Sequence, residues 1–115
     1  MKIEFDKMEA TVYQNFRHGE GEWHMKLFDD GMNKYLMGTL KPGASIGAHT
    51  HRGDSEMFYI ISGTGKVLCD GETEELKPGD LHYCPMGHKH SLINTGSEDL
   101  VVLAAVPKHP VVEEA

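Results

Sequence analysis

Turn-forming residues cut most of this chain into short segments, and their spacing limits its possible folds more than any other feature. Clusters of glycine, proline, aspartate and serine recur at short intervals. No window carries an apolar stripe with helical spacing over three turns. Asp70-Gly71 is typical of a two-residue hairpin turn. At least seven short strands lie between the turns, which predicts an all-β sandwich or barrel. The candidate segments are KYLMGTL, ASIGAHTH, EMFYIIS, GKVLCD, ETEELK, LHYCP, HKHSLIN and LVVLAAV.

The chain has 115 residues, the size of one domain, and no repeat or linker divides it. A chain of this length can bury a core without disulfides or a structural metal. We predict a single domain over 1–115 with its core at about 33–107. Residues 1–22 are predicted to be an N-terminal arm or edge strand, although GEWHMKLF is itself a candidate strand. The end of the chain, PKHPVVEEA, has two prolines, so 108–115 is predicted to be an irregular tail.

The charge pattern argues against two classes of partner. The formal charge is −7, and the isoelectric point is near 5.5. Lysines and arginines are scattered, whereas a nucleic-acid or anionic-membrane surface needs them clustered. No apolar run approaches the roughly 18 residues of a membrane span, and the opening MKIEFDKMEA has no signal-peptide core. We therefore expect a cytoplasmic protein that binds neither nucleic acid nor membrane, with Cys69 and Cys84 reduced.

Histidine is the unusual residue of this composition: there are eight, and five lie between residues 49 and 90. Alternation along a strand puts His49 and His51 on one face, which we expect Ser45 and Gly47 to share. Glu56 opens the next strand and shares its face with Phe58 and Ile60. A carboxylate that points into an apolar interior is costly unless it is paired or coordinated. If the turn RGDS reverses the chain, Glu56 lies beside the two histidines.

A fourth candidate ligand, His90, begins a strand whose face also carries Leu92 and Asn94. Three neutral imidazoles and one carboxylate suit a divalent transition metal ion, and Zn, Mn, Fe, Ni, Co and Cu are all chemically plausible. The competing interpretation is that His49 and His51 lie on a solvated strand face, since HxH is common there. Spacing alone does not place His90 beside them.

The sequence resembles the cupin superfamily. Its first motif is G(X)5HXH(X)3–4E(X)6G and its second is G(X)5PXG(X)2H(X)3N, separated here by the short spacer 64–78. Every fixed position of both motifs is filled: Gly43, His49, His51, Glu56 and Gly63 in the first, and Gly79, Pro85, Gly87, His90 and Asn94 in the second.

The resemblance implies a small jelly-roll β-barrel with one motif pair, commonly a homodimer. It implies one divalent metal ion held inside the barrel by His49, His51, Glu56 and His90, and a mainly structural role for Asn94. It does not identify the reaction, because metal-containing cupins include dioxygenases, decarboxylases, isomerases and lyases as well as proteins that only bind.

Several other residues are candidates for a substrate pocket. Phe58, Ile60 and Leu92 share faces with the predicted ligands. His82 and Cys84 share one face of their strand, and either this face or the opposite one points inward. His88 lies in the turn PMGHKH and is a candidate general acid–base, although a solvated turn histidine is the favoured interpretation. Cys84 also fits a plain core position, since buried cysteine often acts as a small apolar residue.

Two functions stay open. The favoured one is a metal-dependent enzyme that acts on a small carboxylate, keto or sugar-like substrate, in which the ion stabilises an enolate or activates dioxygen. The alternative is a domain that binds or senses a small sugar or carboxylate without turning it over. A barrel that keeps the motifs but binds no metal is the least favoured, because the ligand set is complete.

Overall fold

The computed structural model describes residues 1–110, and most of them lie in β-strands. Two short 3-10 turns, Phe5–Lys7 and Phe16–His18, are the helical segments within this range. The predicted all-β class is confirmed. The ten strands of the described residues are β1 (Thr11–Gln14), β2 (Glu22–Asp29), β3 (Asn33–Leu40), β4 (Ser45–Thr50), β5 (Glu56–Ser62), β6 (Gly65–Cys69), β7 (Glu72–Leu76), β8 (Leu81–Cys84), β9 (Lys89–Asn94) and β10 (Leu100–Pro107).

The strands form two antiparallel sheets that pack face to face, as in a jelly roll. The larger sheet has the order β1-β2-β3-β10-β5-β8, and the smaller has the order β4-β9-β6-β7. Strands alternate buried and exposed positions, which is the pattern of sheets with one face on the core. One apolar cluster draws on both sheets; its most buried members include Leu40, Ile60 and Leu100 from the larger and Val67 and Leu92 from the smaller. None of the helical segments described here is long and apolar enough to cross a bilayer.

The packed core begins before residue 33, earlier than predicted. Strand β2 pairs with β3 along its whole length, and β1 covers the edge of β2. Trp23 on β2 is 3% exposed and belongs to the core cluster. Its ring occupies the space over Gly38, where a Cβ would lie 1.8 Å from the indole. Of the predicted tail, Lys108 and His109 donate backbone hydrogen bonds to the loops at Met32 and Gly53, and residues 111–115 lie outside the described range.

The predicted hairpin turn at Asp70-Gly71 is confirmed. Both residues have positive φ, 51° and 82°. These values are typical of the two-residue turns whose twist matches the flanking strands. The turn joins β6 to β7, with Cys69 opposite Glu72.

A bulge in β4 corrects the predicted face of His49. Ile46 pairs with Leu92, but the next pair along the two strands is His49 with His90. Two residues of β4 therefore oppose one residue of β9, and the extra residue reverses the alternation. His49 shares its face with Ile46 rather than with Ser45. The second 3-10 turn, Phe16–His18, lies directly against the bulge, since a Cβ on Gly47 would be 1.9 Å from the carbonyl oxygen of Arg17.

Asn94 closes the loop that follows β9. Its Nδ2 donates to the carbonyl oxygens of Leu40 and Glu98, both at 2.8 Å, and its Oδ1 accepts from the amide of Gly96 at 2.9 Å. The side chain is buried. These bonds support the structural role that the resemblance implies for this residue.

We expect Asn94→Ala to lower the free energy of unfolding by about 2–4 kcal/mol, because it leaves buried backbone groups without partners. Urea unfolding followed by far-UV circular dichroism measures this change. Thr95→Ala, at the exposed neighbouring position, is the control and should change the free energy by less than about 0.5 kcal/mol. Equal effects of the two substitutions would contradict the structural role.

Candidate metal centre

Four side chains from three strands and one loop converge between the two sheets. His49 lies near the end of β4, His51 follows that strand, Glu56 opens β5 and His90 is the second residue of β9. One ligand atom of each lies within 4.8 Å of those of the other three. The loop 52–55 reverses the chain, as the turn RGDS predicts, and this reversal brings Glu56 beside the two histidines.

The ligand atoms are close enough to share one ion. Nε2 of His90 lies 2.9 Å from Oε1 of Glu56, 3.0 Å from Nε2 of His51 and 3.1 Å from Nε2 of His49. Nε2 of His51 lies 3.2 Å from the same carboxylate oxygen. Neutral imidazoles that point their lone pairs at one another repel, so three such nitrogens call for a cation among them. The donor set fits a divalent transition metal ion.

Hydrogen bonds on the far side of two rings orient them for this role. Nδ1 of His49 donates to the carbonyl oxygen of Gly47, and Nδ1 of His51 donates to Oδ1 of Asp54, both at 2.8 Å. With the proton held on Nδ1, each ring presents the Nε2 lone pair to the centre. The bulge in β4 thus serves the site, because it supplies the carbonyl that orients His49.

The charges of the centre also suit a cation. Burial raises the pKa of Glu56, but the surrounding rings of His49, His51 and His90 outweigh it and hold that pKa well below its usual range. The Glu56 carboxylate raises the pKa of His51, whereas burial lowers the pKa of His90. A buried, ionised carboxylate beside neutral imidazoles is the arrangement that a bound cation stabilises.

A cavity opens from the centre toward the mouth of the barrel. A small inner space of about 20 Å³ lies against His49, Glu56 and His90, with Phe58 and Leu92 in its apolar wall. An outer cavity of about 300 Å³ adjoins it and shares His49 and Glu56. Three cationic side chains lie in the outer wall: Arg17, Lys34 and Arg52.

The predicted pocket residues fall into two groups. Phe58 and Leu92 line the inner cavity, whereas Ile60, His82 and Cys84 line neither of the two cavities described above. His82 and Cys84 do point inward, while Leu81 and Tyr83 face outward. Burial raises the pKa of the Cys84 thiol to about 12, so this residue acts as a small apolar group. Both cysteines are free.

His88 does not face the centre. Its side chain is 49% exposed, and Nδ1 donates to the Asp70 carboxylate, whose pKa this bond lowers. Its backbone carbonyl accepts a hydrogen bond from the amide of His51 at 3.1 Å. The residue therefore supports the ligand through its main chain, and its ring belongs to the surface, so the geometry does not favour a general acid–base role.

Neither the cationic side chains in the wall of the outer cavity nor the hydrogen-bond partner of His51 was predicted from the sequence. The hydrogen bond of Asp54 to His51 could have been expected, since Asp54 lies in the short loop between His51 and Glu56. No such indication exists for Arg17 and Lys34, because they reach the cavity from a 3-10 turn and a strand that are distant from the ligands in sequence.

Comparison with known proteins places this geometry in a family. The family model described as Cupin domain matches residues 36–106. The oxalate-binding protein of Thermotoga maritima is 36% identical over 112 residues, which cover 92% of this chain and 93% of that protein. A 5-nitrosalicylic acid 1,2-dioxygenase of Bradyrhizobium is 30% identical over 63 residues, 55% of this chain and 30% of the dioxygenase.

Among solved structures, a Thermotoga maritima protein described as a predicted oxalate decarboxylase matches with a TM-score of 0.89. Its sequence identity is 30%, and the match covers 94% of this chain and 99% of that one. The two complete motifs, the jelly-roll topology and the converging histidines and glutamate agree with these matches: the chain belongs to the cupin family.

Proposed function

We propose that the protein binds one divalent transition metal ion through His49, His51, Glu56 and His90, and holds a small carboxylate anion on the open side of that ion. The observation that carries this proposal is the outer cavity, whose floor is made by metal ligands and whose wall holds Arg17, Lys34 and Arg52. A divalent ion with a single carboxylate ligand keeps a net positive charge, which attracts an anionic oxygen donor.

The cavity volume suits a small ligand. About 300 Å³ lies at the lower end of the range for small-molecule sites. Lysine and arginine are the side chains that bind carboxylates through charge-assisted hydrogen bonds. The name of the oxalate-binding relative agrees with a small dicarboxylate, which the cavity has room to hold. Such a ligand would place one end on the ion and the other near the cationic wall.

Catalysis is the second candidate function. The relatives described as a dioxygenase and as a predicted oxalate decarboxylase favour it. A bound divalent ion supplies a Lewis acid that polarises a carboxylate or carbonyl oxygen. However, the carboxylates and imidazoles that line the two cavities are metal ligands or, in Asp54, bonded to one. Binding without turnover is therefore the function that the geometry supports best. The cytoplasmic location expected from the sequence stays a prediction.

Removing two ligands should abolish metal binding. We expect wild-type protein loaded with Zn²⁺, Mn²⁺ or Co²⁺ and then desalted to keep about one equivalent of ion, and the variant His49→Ala/His51→Ala to keep almost none. Elemental analysis measures the metal content. His88→Ala is the matched control, since it removes a histidine two residues from His90, and it should keep the ion. One full equivalent on the double variant, with a folded circular dichroism spectrum, would disprove the assignment.

Oxalate should bind only to the metal-loaded protein. Lys34→Ala should weaken this binding roughly tenfold, the effect of one hydrogen bond between charged groups. Lys26→Ala is the matched control, because Lys26 lies on the neighbouring strand and outside the cavity wall. Isothermal titration calorimetry measures the affinities, and proton or carbon NMR of the same samples detects any product. Equal affinity with and without metal would refute the proposal, whereas turnover would select the enzyme.

The predicted homodimer is also a proposal, and the outer face of the larger sheet supports it. Leu81 is 58% and Tyr83 57% exposed. An apolar sheet face without a cover marks an interaction surface, and two copies of one flat face can pair about a two-fold axis. Strand register aligns its side chains in two rows, Met37–Leu103–Tyr59–Leu81 and Tyr35–Ala105–Met57–Tyr83.

Light scattering after size-exclusion chromatography tests this interface. We expect the wild-type chain to elute as a dimer and Leu81→Glu to elute as a monomer, because a charge would be desolvated in the interface. Leu68→Glu places the same charge on an exposed leucine of the smaller sheet, and this control should leave the dimer intact. A dimeric Leu81→Glu variant or a monomeric wild type would rule out this face.

A further inference from the structure

We propose that Glu74 and His82 form a hydrogen-bonded relay with His90 that positions this histidine to bind the metal ion. Glu74 and His82 would be positioning residues, since neither lines the cavity. The inference rests on the metal site proposed above and extends it to two residues that the cupin motifs do not contain.

The three side chains form a continuous chain of short hydrogen bonds. Nδ1 of His82 lies 2.7 Å from Oε1 of Glu74, and Nε2 of His82 lies 3.0 Å from Nδ1 of His90. The opposite nitrogen of His90, Nε2, faces the metal centre, 2.9 Å from Glu56. The chain thus runs from a carboxylate at the surface, 53% exposed, through an imidazole that is 1% exposed, to a metal ligand.

The direction of the hydrogen bonds follows from the carboxylate. An ionised Glu74 can only accept, so Nδ1 of His82 carries the proton and donates it. Nε2 of a neutral His82 then has a free lone pair and accepts from Nδ1–H of His90. His90 in turn presents the lone pair of Nε2 to the centre, which is the form that binds a metal ion.

The tertiary fold brings these residues together across a gap between the two sheets. Glu74 lies on β7, the edge of the smaller sheet, and His82 lies on β8, the edge of the larger. The ring of His82 packs against two others, with its centroid 4.8 Å from that of Phe58 and 5.2 Å from that of His90. In this orientation both of its nitrogens have hydrogen-bond partners.

A merely structural role is the competing interpretation, since a buried polar ring needs partners wherever it lies. An apolar side chain of similar shape would fill the same space without that need. The two interpretations differ in what they predict for His90. The relay requires one particular tautomer of His90 and a change in metal affinity when the relay is cut, whereas a structural histidine requires only that the fold persists.

The tautomers can be read directly, without metal. Long-range proton–nitrogen NMR of ¹⁵N-labelled, metal-free wild-type protein near pH 8 distinguishes Nδ1–H from Nε2–H imidazole. We expect Nδ1–H for both His82 and His90. Nε2–H on either ring would overturn the relay. Because this measurement needs no ion, it decides the relay even if the wild-type protein fails to bind metal, in which case the proposed function fails separately.

Substitutions test the effect on the ion. We expect His82→Phe, which keeps the packing but removes the acceptor of His90, to weaken Zn²⁺ binding by about 10- to 100-fold in competition with a chelating dye. His82→Gln restores an acceptor and should recover affinity to within about threefold of wild type. Glu74→Ala should weaken binding by about threefold or more, while its neighbour on the opposite face, Glu75→Ala, should not.

Unchanged affinity in His82→Phe, no recovery in a folded His82→Gln, or equal effects of Glu74→Ala and Glu75→Ala would each overturn the proposal. If His82→Phe does not fold, the comparison of Glu74→Ala with Glu75→Ala still decides it, because both variants keep the ligand set and only the first cuts the relay. Circular dichroism of each variant separates loss of the fold from loss of the hydrogen bond.

Discussion

Three imidazole nitrogens and one carboxylate oxygen converge between the two sheets, and the surrounding backbone and side chains hold them in that arrangement. Without a cation, these lone pairs would repel in an interior that screens charge poorly. A cation turns the repulsion into attraction, and an ion that binds only the folded chain stabilises it by mass action. The ligands come from both sheets, since His49 and His90 lie on the smaller and Glu56 on the larger. An ion there would therefore link the two layers of the barrel.

Two departures from regular strand structure, the bulge in β4 and the loop 52–55, lie beside this centre. The bulge in β4 turns His49 inward and supplies the carbonyl of Gly47 that orients its ring. The loop 52–55 returns the chain and supplies Asp54 to His51. Backbone hydrogen bonds between His51 and the turn at Gly87 and His88 join the two motifs and hold His51 in place.

The candidate metal ligands and the charged residues of the outer cavity wall relate differently to the cupin motifs. The ligand set is that of the cupin motifs, and many reactions use it. None of Arg17, Lys34 and Arg52 occupies a fixed position of either motif, and only Arg52 lies within the span of one. If the ion is bound, its charge and these three cations would favour a small anion, which is the reason for proposing a carboxylate rather than a neutral sugar.

Much of the architecture could be predicted because it depends on local rules. Alternation and turn chemistry predicted the strands, the hairpin at Asp70-Gly71 and the inward face of Glu56. The same rules failed at His49, because a bulge adds one residue and reverses the alternation. They also placed the start of the core too late, since the burial of Trp23 depends on the space that Gly38 leaves on another strand.

The sequence by itself predicted the fold class, because strand periodicity and turn chemistry are properties of neighbouring residues, and its resemblance to the cupin motifs picked out the four side chains that could hold a metal ion. Only the tertiary structure decided what surrounds those ligands. Arg17, Lys34 and Glu74 reach the cavity or the relay from strands and turns remote in sequence, and His82 faces inward because β8 pairs with β5 at the edge of its sheet. Contacts between distant segments follow from how the sheets close on each other, and no local pattern encodes that closure.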